Sequence, residues 1–430
     1  MRRTVFDPIG EAIAAIARGE IVVVADDEDR ENEGDLIMAA DLATEEQIAF
    51  FVRHTSGVIC VGLTGERCDE LQLPLMVSAS GNTEAQGTAF TVTVDLAVGT
   101  STGISAGDRA RTLRALTDPN VEPGAFNRPG HIFPLRARPG GTHKRAGHTE
   151  AAVDLARLAG RYPAGVLCEV VLDTGEMARV ADLRAFADRH GLLFVSIADL
   201  IRHRRRTEKL ITRTAAARVP TEWGEFRCYA FQSHVDGGDT HLAFVKGDVG
   251  GRADVLVRVH SECITGDVFA SVKCDCGAQL HESMRRIDDE GHGVVVYLRG
   301  HEGRGIGITH KLRAYELQDG GADTIDANLE LGLPVDSREY GIGAQILADL
   351  GLTTIRLLTN NPAKHDDLDD YDLTITERVP LHVPAHPEAQ RYLDTKRLRM
   401  GHLLPDPQQT PATTSISATP STSSTITEQA

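Results

Sequence analysis

Three cysteines stand at a spacing that suits a metal ion. Cys263 is followed after ten residues by Cys274 and after one more by Cys276. Thiolates are soft ligands that select Zn²⁺ over hard cations, and three protein ligands leave a fourth tetrahedral position for water or substrate. The spacing alone leaves three interpretations open: a catalytic zinc site, a closed site completed by His260 or His281, or three buried structural cysteines.

Glycine-rich and polar motifs follow these cysteines along the chain. A predicted strand from Val294 to Leu298 ends in RGHEGRGIG, where the glycines let backbone approach a ligand. Farther on come RAYELQ, DTIDAN, VDSREYG and LLTNNPAK, and RVHSE precedes the first cysteine. In this order the set resembles GTP cyclohydrolase II, from about residue 208 to residue 404.

The resemblance implies a reaction and a site for the second half of the chain. The imidazole ring of GTP would be opened, with loss of formate and release of pyrophosphate. The three cysteines would hold one Zn²⁺, and Mg²⁺ would accompany the triphosphate. The implied catalytic residues are Tyr315, Asp336 and Arg338. The implied GTP contacts are Arg258, Val259, His260, Ser261, Glu262, Gln279, Glu302, Gly303, Arg304, Thr324, Thr359 and Lys364.

Two roles for Arg338 stay open at this point. The mechanism put forward for the family makes it a nucleophile towards the α-phosphorus, with Asp336 as its base. A guanidinium with a pKa above ~12 is instead a poor nucleophile and a good bidentate clamp for phosphate.

An acidic segment marks the first half of the chain. The predicted strand from Ile21 to Ala25 is followed by DDEDRENEGD, which carries seven carboxylates and one arginine. Such a run is usually a solvated loop. Ligands bind beyond the carboxyl ends of strands in open α/β sheets, and mutually repelling carboxylates call for a cation. The position of this run therefore favours a metal site.

Two further segments carry titratable side chains in structured surroundings. His131 lies in NRPGHIFPLRA, and His148 lies in RAGHTE, just before a predicted helix from Ala151 to Leu158. The start of that helix suits a phosphate group, because backbone N–H groups and the positive dipole end point there. Glu169 lies among apolar residues in a predicted strand from Gly165 to Leu172, where a carboxylate needs a partner or a role.

Together these segments resemble 3,4-dihydroxy-2-butanone 4-phosphate synthase over about residues 6 to 205. The resemblance implies conversion of ribulose 5-phosphate to 3,4-dihydroxy-2-butanone 4-phosphate and formate. Mg²⁺ or Mn²⁺ would be held by Glu31 and His148, and His131 and Glu169 would be essential for catalysis. The implied substrate contacts are Arg30, Glu31, Asp35, Arg145, Ala146, Gly147, His148, Thr149 and Glu169.

Composition limits the remaining function classes. The formal charge of −17 disfavours binding to a phosphate backbone, so we expect small-molecule substrates and no nucleic-acid partner. Seven scattered cysteines suit a reducing compartment better than a disulfide framework. No stretch approaches the ~18 apolar residues of a membrane span. The sequence therefore predicts a soluble, cytoplasmic protein.

The length of 430 residues predicts two domains. We predict an α/β (α+β) fold with two separate mixed-sheet domains and flanking helices: a synthase domain at 1–205, a cyclohydrolase domain at 206–404, and a disordered Ser/Thr/Pro-rich tail at 405–430. The basic stretch from Ile201 to Arg213 is predicted to be a mostly solvated linker. Family resemblance suggests a homodimer formed through the synthase domain. The alternative is one active half, with the other retained as a GTP- and zinc-binding regulatory module.

Overall fold

The computed structural model describes residues 5–78, 81–235, 238–333, 338, 340–362 and 373–405. Two seven-stranded mixed sheets with flanking helices organise the chain, as the sequence predicted. The chain divides into two compact units, residues 1–215 with 230–241 and residues 216–229 with 242–430. The predicted tail beyond residue 405 lies outside the described residues, as do Asp336 and Lys364. Among the described residues, no helix is both long enough and apolar enough to cross a bilayer.

The first sheet contains the first seven strands in the order β4-β5-β3-β6-β2-β1-β7. Strands β1/β7 and β3/β5 pair in parallel, and the other neighbours are antiparallel. The strands are β1 Val22–Ala25, β2 Gly34–Ala39, β3 Cys60–Leu63, β4 Val94–Leu96, β5 Phe126–Arg136, β6 Ala164–Glu169 and β7 Leu193–Ser196. The helices are α1 Ile9–Ala17, α2 Glu45–His54, α3 Gly65–Glu70, α4 Ala106–Thr117, α5 His148–Leu158, α6 Val180–His190 and α7 Ile197–Thr207.

Both faces of this sheet are covered by apolar side chains. Every residue of β1 and β2 is buried. Val23 and Leu36 pack into one core, whereas Val22 and Ile37 pack into another. A sheet covered on both faces selects continuous apolar strands, and this explains why β1 reads as an unbroken run of valines.

Helix α5 begins three residues before the predicted start, at His148, with Gly147 at its N-cap. Its first turn lies directly against β3, because a Cβ at Gly62 would stand only 2.7 Å from the carbonyl oxygen of Thr149. The absence of a side chain at Gly62 therefore sets how closely His148 approaches the sheet.

The second sheet contains the remaining strands in the order β14-β13-β11-β12-β10-β9-β8. Strands β14, β13, β11 and β12 run parallel to one another, and β10 is antiparallel to β12. The strands are β8 Ile211–Thr221, β9 Gly224–Ser233, β10 Thr240–Lys246, β11 Val255–Ser261, β12 Gly293–Leu298, β13 Thr354–Leu358 and β14 Thr374–Val379. The helices are α8 Ile264–Asp267, α9 Cys276–Glu290, α10 Gly307–Asp319, α11 Thr324–Glu330, α12 Gly341–Asp349 and α13 Gln390–Arg399.

The prediction of a solvated linker from Ile201 to Arg213 is wrong. Helix α7 continues to Thr207, and Arg204 on this helix is buried. Its guanidinium donates to Asp154 Oδ2 at 2.7 Å and to Glu208 Oε2 at 2.9 Å. A run of arginines has the pattern of a solvated segment, whereas Asp154, the buried partner of Arg204, lies 50 residues earlier in the chain.

We expect Arg204→Ala to lower the free energy of unfolding by about 3 kcal/mol, because it removes the buried cation of Asp154 and leaves only Arg157, which is 3.6 Å away and 43% exposed. Urea denaturation measures this loss. The matched control is Arg202→Ala, which removes a side chain that is 57% exposed on the same helix, and which should change the free energy by no more than ~0.5 kcal/mol. Equal effects of the two substitutions would contradict the assignment of a buried ion pair.

Candidate active sites

The acidic segment after β1 folds around Asp26. This buried carboxylate accepts hydrogen bonds from Arg30 Nη1 at 2.8 Å and from the backbone N–H groups of Glu31 and Glu33 at 3.1 and 2.8 Å. Arg30 also donates to Glu31 Oε2 at 2.6 Å. The loop is therefore ordered around Asp26 by its own charges, although Asp27, Glu28 and Asp29 are exposed.

His148 faces this segment from the first turn of α5. Its Nδ1 lies 3.6 Å from Glu31 Oε2 and 3.8 Å from Asp35 Oδ1. Its Nε2 lies 3.2 Å from the carbonyl oxygen of Val24. The carboxylates of Asp26, Glu31 and Asp35 are here called the acidic group. If Nε2 carries the proton and donates it to the Val24 carbonyl, the Nδ1 lone pair is directed at the acidic group, which is the usual arrangement of a metal-binding histidine.

One set of side chains in this region fits a divalent cation. Ligand atoms of Asp26, Glu31 and His148 lie within 4.8 Å of one another. Carboxylates with one imidazole are ligands suited to Mg²⁺ or Mn²⁺. The sequence predicted Glu31 and His148 but missed Asp26, whose signal is its position as the first carboxylate after a buried strand.

The charges of this group depend on one another. The hydrogen bond with His148 and the charge of Arg30 lower the pKa of Glu31 to about 2. Burial raises the pKa of Asp35 to about 8. Burial opposes protonation of His148, but Asp35 and Glu31 outweigh it and raise the pKa of the imidazole to about 9. A metal ion bound here displaces that proton, so binding strengthens as the pH rises.

Glu169 and Arg145 stand next to this group. Glu169 is paired with Asp35 in the antiparallel register of β2 and β6, so the two side chains lie on the same face. Ser56 Oγ donates to Glu169 Oε2 at 2.7 Å. Arg145 donates to Glu150 Oε2 at 2.8 Å, which holds the turn of Ala146 and Gly147 at the start of α5, before Thr149 in its first turn.

His131 occupies a different part of the same sheet. It lies on β5, two strands from β6, with a side chain that is 42% exposed. Its Nδ1 lies 2.6 Å from Asp95 Oδ2, and its backbone N–H donates to Asp95 Oδ1 at 2.9 Å. Asp95 thereby fixes the imidazole, with Nε2 as the nitrogen available to a substrate.

The cysteine sulfurs have the separation that zinc requires. Sγ of Cys263 and Sγ of Cys274 are 3.7 Å apart, and the sulfur of Cys276 lies within 4.8 Å of both. Tetrahedral Zn²⁺ with Zn–S bonds of ~2.3 Å places its sulfurs about 3.8 Å apart. A disulfide would bring two of them to ~2.05 Å.

Neither histidine considered for a closed site joins the cysteines. His260 Nε2 lies 3.1 Å from Asp267 Oδ2 and its ring stacks on Tyr297. His281 stacks on Trp223 with the ring centroids 4.3 Å apart. Within the part of the chain that the structure describes, the candidate metal cluster at this site consists of Cys263, Cys274 and Cys276 alone. This leaves a fourth position for water or substrate.

Two glycines allow the cysteine turn to close. A Cβ at Gly266 would lie 2.9 Å from Cys274 Sγ, and one at Gly277 would lie 2.3 Å from the carbonyl oxygen of Gly266. A larger residue at either position would push apart the segments that carry the sulfurs.

Lys311 supports the cysteine cluster and was missed by the sequence analysis. Its Nζ lies 3.1 Å from Cys263 Sγ, 2.7 Å from Thr265 Oγ1 and 2.5 Å from Glu302 Oε1. Glu302 also accepts from the backbone N–H of Ile264 at 2.6 Å. Hydrogen bonds from the other two cysteines and the charge of Lys311 hold the pKa of Cys263 far below its usual value. The site is thus built to hold a thiolate.

Two adjoining cavities bring together most of the predicted GTP residues. The first, beside the sulfurs, is lined by Ser261, Glu262, Gly303, Arg304, Tyr315, Thr324 and Arg338. The second is lined by Arg258, His260, Ser261, Gln279, Arg338 and Thr359. Val259 is buried within β11, and the carboxylate of Glu302 is engaged by Lys311. Ser261 and Arg338 line both cavities, so they mark where the two meet.

Comparison with known proteins agrees with this arrangement. Residues 10–203 match the family model of 3,4-dihydroxy-2-butanone 4-phosphate synthase, and residues 212–380 match that of GTP cyclohydrolase II. The riboflavin biosynthesis protein RibBA of Nocardia farcinica is 60% identical over 401 residues, covering 93% of this chain and 96% of the relative. The chain belongs to the family of bifunctional riboflavin biosynthesis proteins.

Other members of this riboflavin biosynthesis family lie in plants. The bifunctional riboflavin biosynthesis protein RIBA 1, chloroplastic, of Arabidopsis thaliana is 60% identical over 398 residues, covering 93% of this chain and 73% of the relative. Among solved structures, RibBX, a two-domain 3,4-dihydroxy-2-butanone 4-phosphate synthase from A. baumannii, is 36% identical with a TM-score of 0.66, covering 87% of this chain and 99% of that chain.

The chain is therefore a bifunctional enzyme of riboflavin biosynthesis, with a synthase domain and a GTP cyclohydrolase II domain. Matches in both halves favour two activities over the alternative of one active half and one regulatory half.

Proposed function

We propose that the acidic group around His148 is the ribulose 5-phosphate site. The observation that carries this proposal is the cluster of Asp26, Glu31 and His148, which stands beside Glu169 and at the start of α5. A divalent cation supplies Lewis-acid stabilisation of charge on the sugar oxygens. The Arg145–Thr149 turn would bind the phosphate.

Two residues would move protons in this reaction. Glu169 is held by Ser56, and His131 is held by Asp95. A carboxylate and an imidazole fixed in this way serve as general acid and base near neutral pH.

We propose that the second site binds GTP in the adjoining cavities, with the three cysteines holding Zn²⁺. Zinc held by these thiolates would supply Lewis-acid chemistry that lowers the pKa of water towards ~7. Arg338, which lines both cavities, would clamp the phosphates, and the Tyr315 ring lies 4.9 Å from Lys273 Nζ and 5.6 Å from Lys311 Nζ. Mg²⁺ would accompany the triphosphate. Asp336 and Lys364 belong to the proposed site on sequence grounds only.

We propose the two domains predicted from the sequence, divided at the end of α7. The sequence boundary after residue 205 falls within the last turn of that helix, which ends at Thr207. We also propose a cytoplasmic location, since all seven cysteines are free, as in a reducing compartment. Cell fractionation tests the location, and recovery in an organelle fraction would contradict it.

The assay that tests both activities is formate release, measured separately from ribulose 5-phosphate and from GTP. The purified chain should release formate from each. Zinc removal should stop only the GTP reaction, and removal of Mg²⁺ and Mn²⁺ should stop the sugar reaction. No formate from either substrate would contradict the assignment.

We propose further that the synthase domain acts as a homodimer in which His131 serves the partner's acidic group. The supporting observation is that His131 lies two strands from β6 and has a side chain that is 42% exposed. An acidic group on one side of the sheet could hardly enclose a sugar phosphate alone.

Mixed inactive chains test this arrangement. Glu31→Gln and His131→Ala chains, allowed to exchange subunits, should regain about a quarter of wild-type sugar activity, because half of the dimers then contain one intact site. Glu31→Gln mixed with His148→Ala should stay inactive, since those two residues lie 3.6 Å apart in one chain. Monomeric mass in light scattering with full sugar activity would rule the dimer out.

A further inference from the structure

The C-terminal helix α13 contributes to the second site from outside the sequence motifs. It begins at Gln390, whereas the match to the cyclohydrolase family model ends at residue 380. Lys396 on this helix is buried, and its Nζ lies 2.7 Å from Asp275 Oδ1 and 4.3 Å from the centroid of the Tyr392 ring. No predicted role accounts for this ammonium group.

Lys396 acts on a residue of the proposed GTP site through Asp275. This carboxylate stands between two of the cysteines in the chain, and its second oxygen accepts from Gln279 Nε2 at 2.6 Å. Gln279 Oε1 accepts from Arg258 Nη2 at 2.8 Å. Because one Asp275 oxygen accepts from the Gln279 amide nitrogen and the other from Lys396, the carboxylate determines which way the Gln279 amide faces, and Lys396 holds the carboxylate in place.

The same segment is attached at a second point. The backbone N–H of Leu403 donates to the carbonyl oxygen of Asn360 at 2.8 Å, and that of His402 donates to the carbonyl oxygen of Lys396 at 3.0 Å. Asn360 is in turn fixed by Leu381, whose carbonyl oxygen accepts from its Nδ2 at 2.7 Å. Residues 390–404, here called the C-terminal strap, are thus held at the cysteine turn and at the turn that follows β13.

Between these attachments the C-terminal strap lines the substrate cavities. Tyr392 lines both, and His402 lines the second together with Arg338. Burial and the nearby charges of Lys396, Arg304 and Arg338 lower the pKa of His402 to about 3. The neutral side chains of Tyr392 and His402 therefore face the same cavity as the guanidinium of Arg338, an arrangement that suits an anionic ligand.

We propose that the C-terminal strap is a wall of the GTP site, with Lys396 as the positioning residue for Gln279 and with Tyr392 and His402 in contact with the nucleotide. The inference rests on the proposed binding of GTP in these cavities. It adds three residues to that site, all of them beyond the segment that the family model matches.

Lys396→Met tests the positioning role, since methionine keeps the apolar stem and removes the charge. We expect KM for GTP to rise about tenfold, because the Gln279 amide loses its fixed orientation and with it one hydrogen bond to GTP. Lys396→Arg should restore most of the affinity by pairing with Asp275. Zinc content and formate release from ribulose 5-phosphate should match those of wild type.

The matched control is Lys246→Met. Lys246 also pairs with an aspartate, Asp288, and also lies over an aromatic ring, that of Phe226, but it lines neither cavity. This substitution should leave KM for GTP unchanged. A second variant, His402→Ala, alters a side chain without a buried charge and should raise KM for GTP by about fivefold with zinc retained. A chain ended after Pro405 should behave as wild type.

The outcomes separate the inference from the function on which it rests. No formate from GTP with the wild-type chain would contradict the proposed GTP function itself. An active wild type whose KM is unchanged by Lys396→Met and His402→Ala would overturn the role of the C-terminal strap alone. Loss of zinc from Lys396→Met, without rescue by arginine, would also overturn it, because Lys396 would then serve only to hold the metal loop.

Discussion

Cys274→Ser should reduce formate release from GTP by ~1,000-fold or more and leave formate release from ribulose 5-phosphate unchanged. Serine is a poor ligand for Zn²⁺, and the three sulfurs stand at the spacing of a tetrahedral site with its fourth position open. The proposed sugar site would draw its metal ligands from Asp26, Glu31 and His148, which belong to the other unit. Zinc content and the two formate assays measure the result.

The reciprocal variant is His148→Ala, which should abolish the sugar reaction and spare GTP turnover. Two controls match these substitutions: Cys228→Ser removes a half-buried thiol outside the cluster, and His203→Ala removes an imidazole outside the acidic group. Both controls should keep both activities. Equal loss of the two activities from folded Cys274→Ser or His148→Ala protein would show that the domains do not work independently.

Arg338→Lys should slow GTP turnover by ~10 to 1,000-fold without abolishing it, if the guanidinium clamps phosphate. Arg338 lines both cavities and lies over the Tyr340 ring at 5.7 Å, a position from which it reaches a substrate that spans them. Lysine keeps the positive charge and loses the bidentate geometry. Arg285→Lys, on the outer face of α9, is the control and should have no effect.

Rapid quench distinguishes the clamp from a covalent nucleophile. GTP labelled at the α-phosphorus is mixed with enzyme and denatured in base, where a phosphoramidate survives. A clamp predicts no label on the protein. Label retained on the wild type and absent from Arg338→Lys would establish the nucleophile instead.

Local spacing alone identified the cysteine set and the acidic run, whereas His148, 117 residues from Glu31, was assigned through the family resemblance. The members of each of these two sets lie close together in the sequence, so their proximity within the set can be predicted without the fold. Asp26 was missed within the acidic run itself, but the other missed partners are distant in the sequence: Asp95 is 36 residues from His131, and Lys311 is 48 residues from Cys263. Such pairings depend on strand order and helix packing, which cannot be predicted from local side-chain patterns.

Dependence on residues that are distant in the sequence also explains why the prediction of a solvated linker at α7 was wrong. A stretch of arginines has the pattern of a solvated surface. The sequence near Arg204 does not indicate that this residue pairs with the buried carboxylate of Asp154. The start of α5 was misplaced for a related reason. Gly147 caps the helix without a side-chain hydrogen bond, so the usual Ser, Thr or Asp signal is missing.

The two proposed metal sites differ in the length of chain that must fold before their ligands are brought together. The cysteines span residues 263 to 276, whereas Glu31 and His148 are separated by 117 residues. Closing the longer loop costs about 2 kcal/mol more chain entropy. During synthesis the acidic site also has to wait until Glu169 has been made and β6 has paired with β2. Metal binding at the cysteine cluster would thus be a local, early folding event, whereas the proposed sugar site would form only once most of its domain has folded.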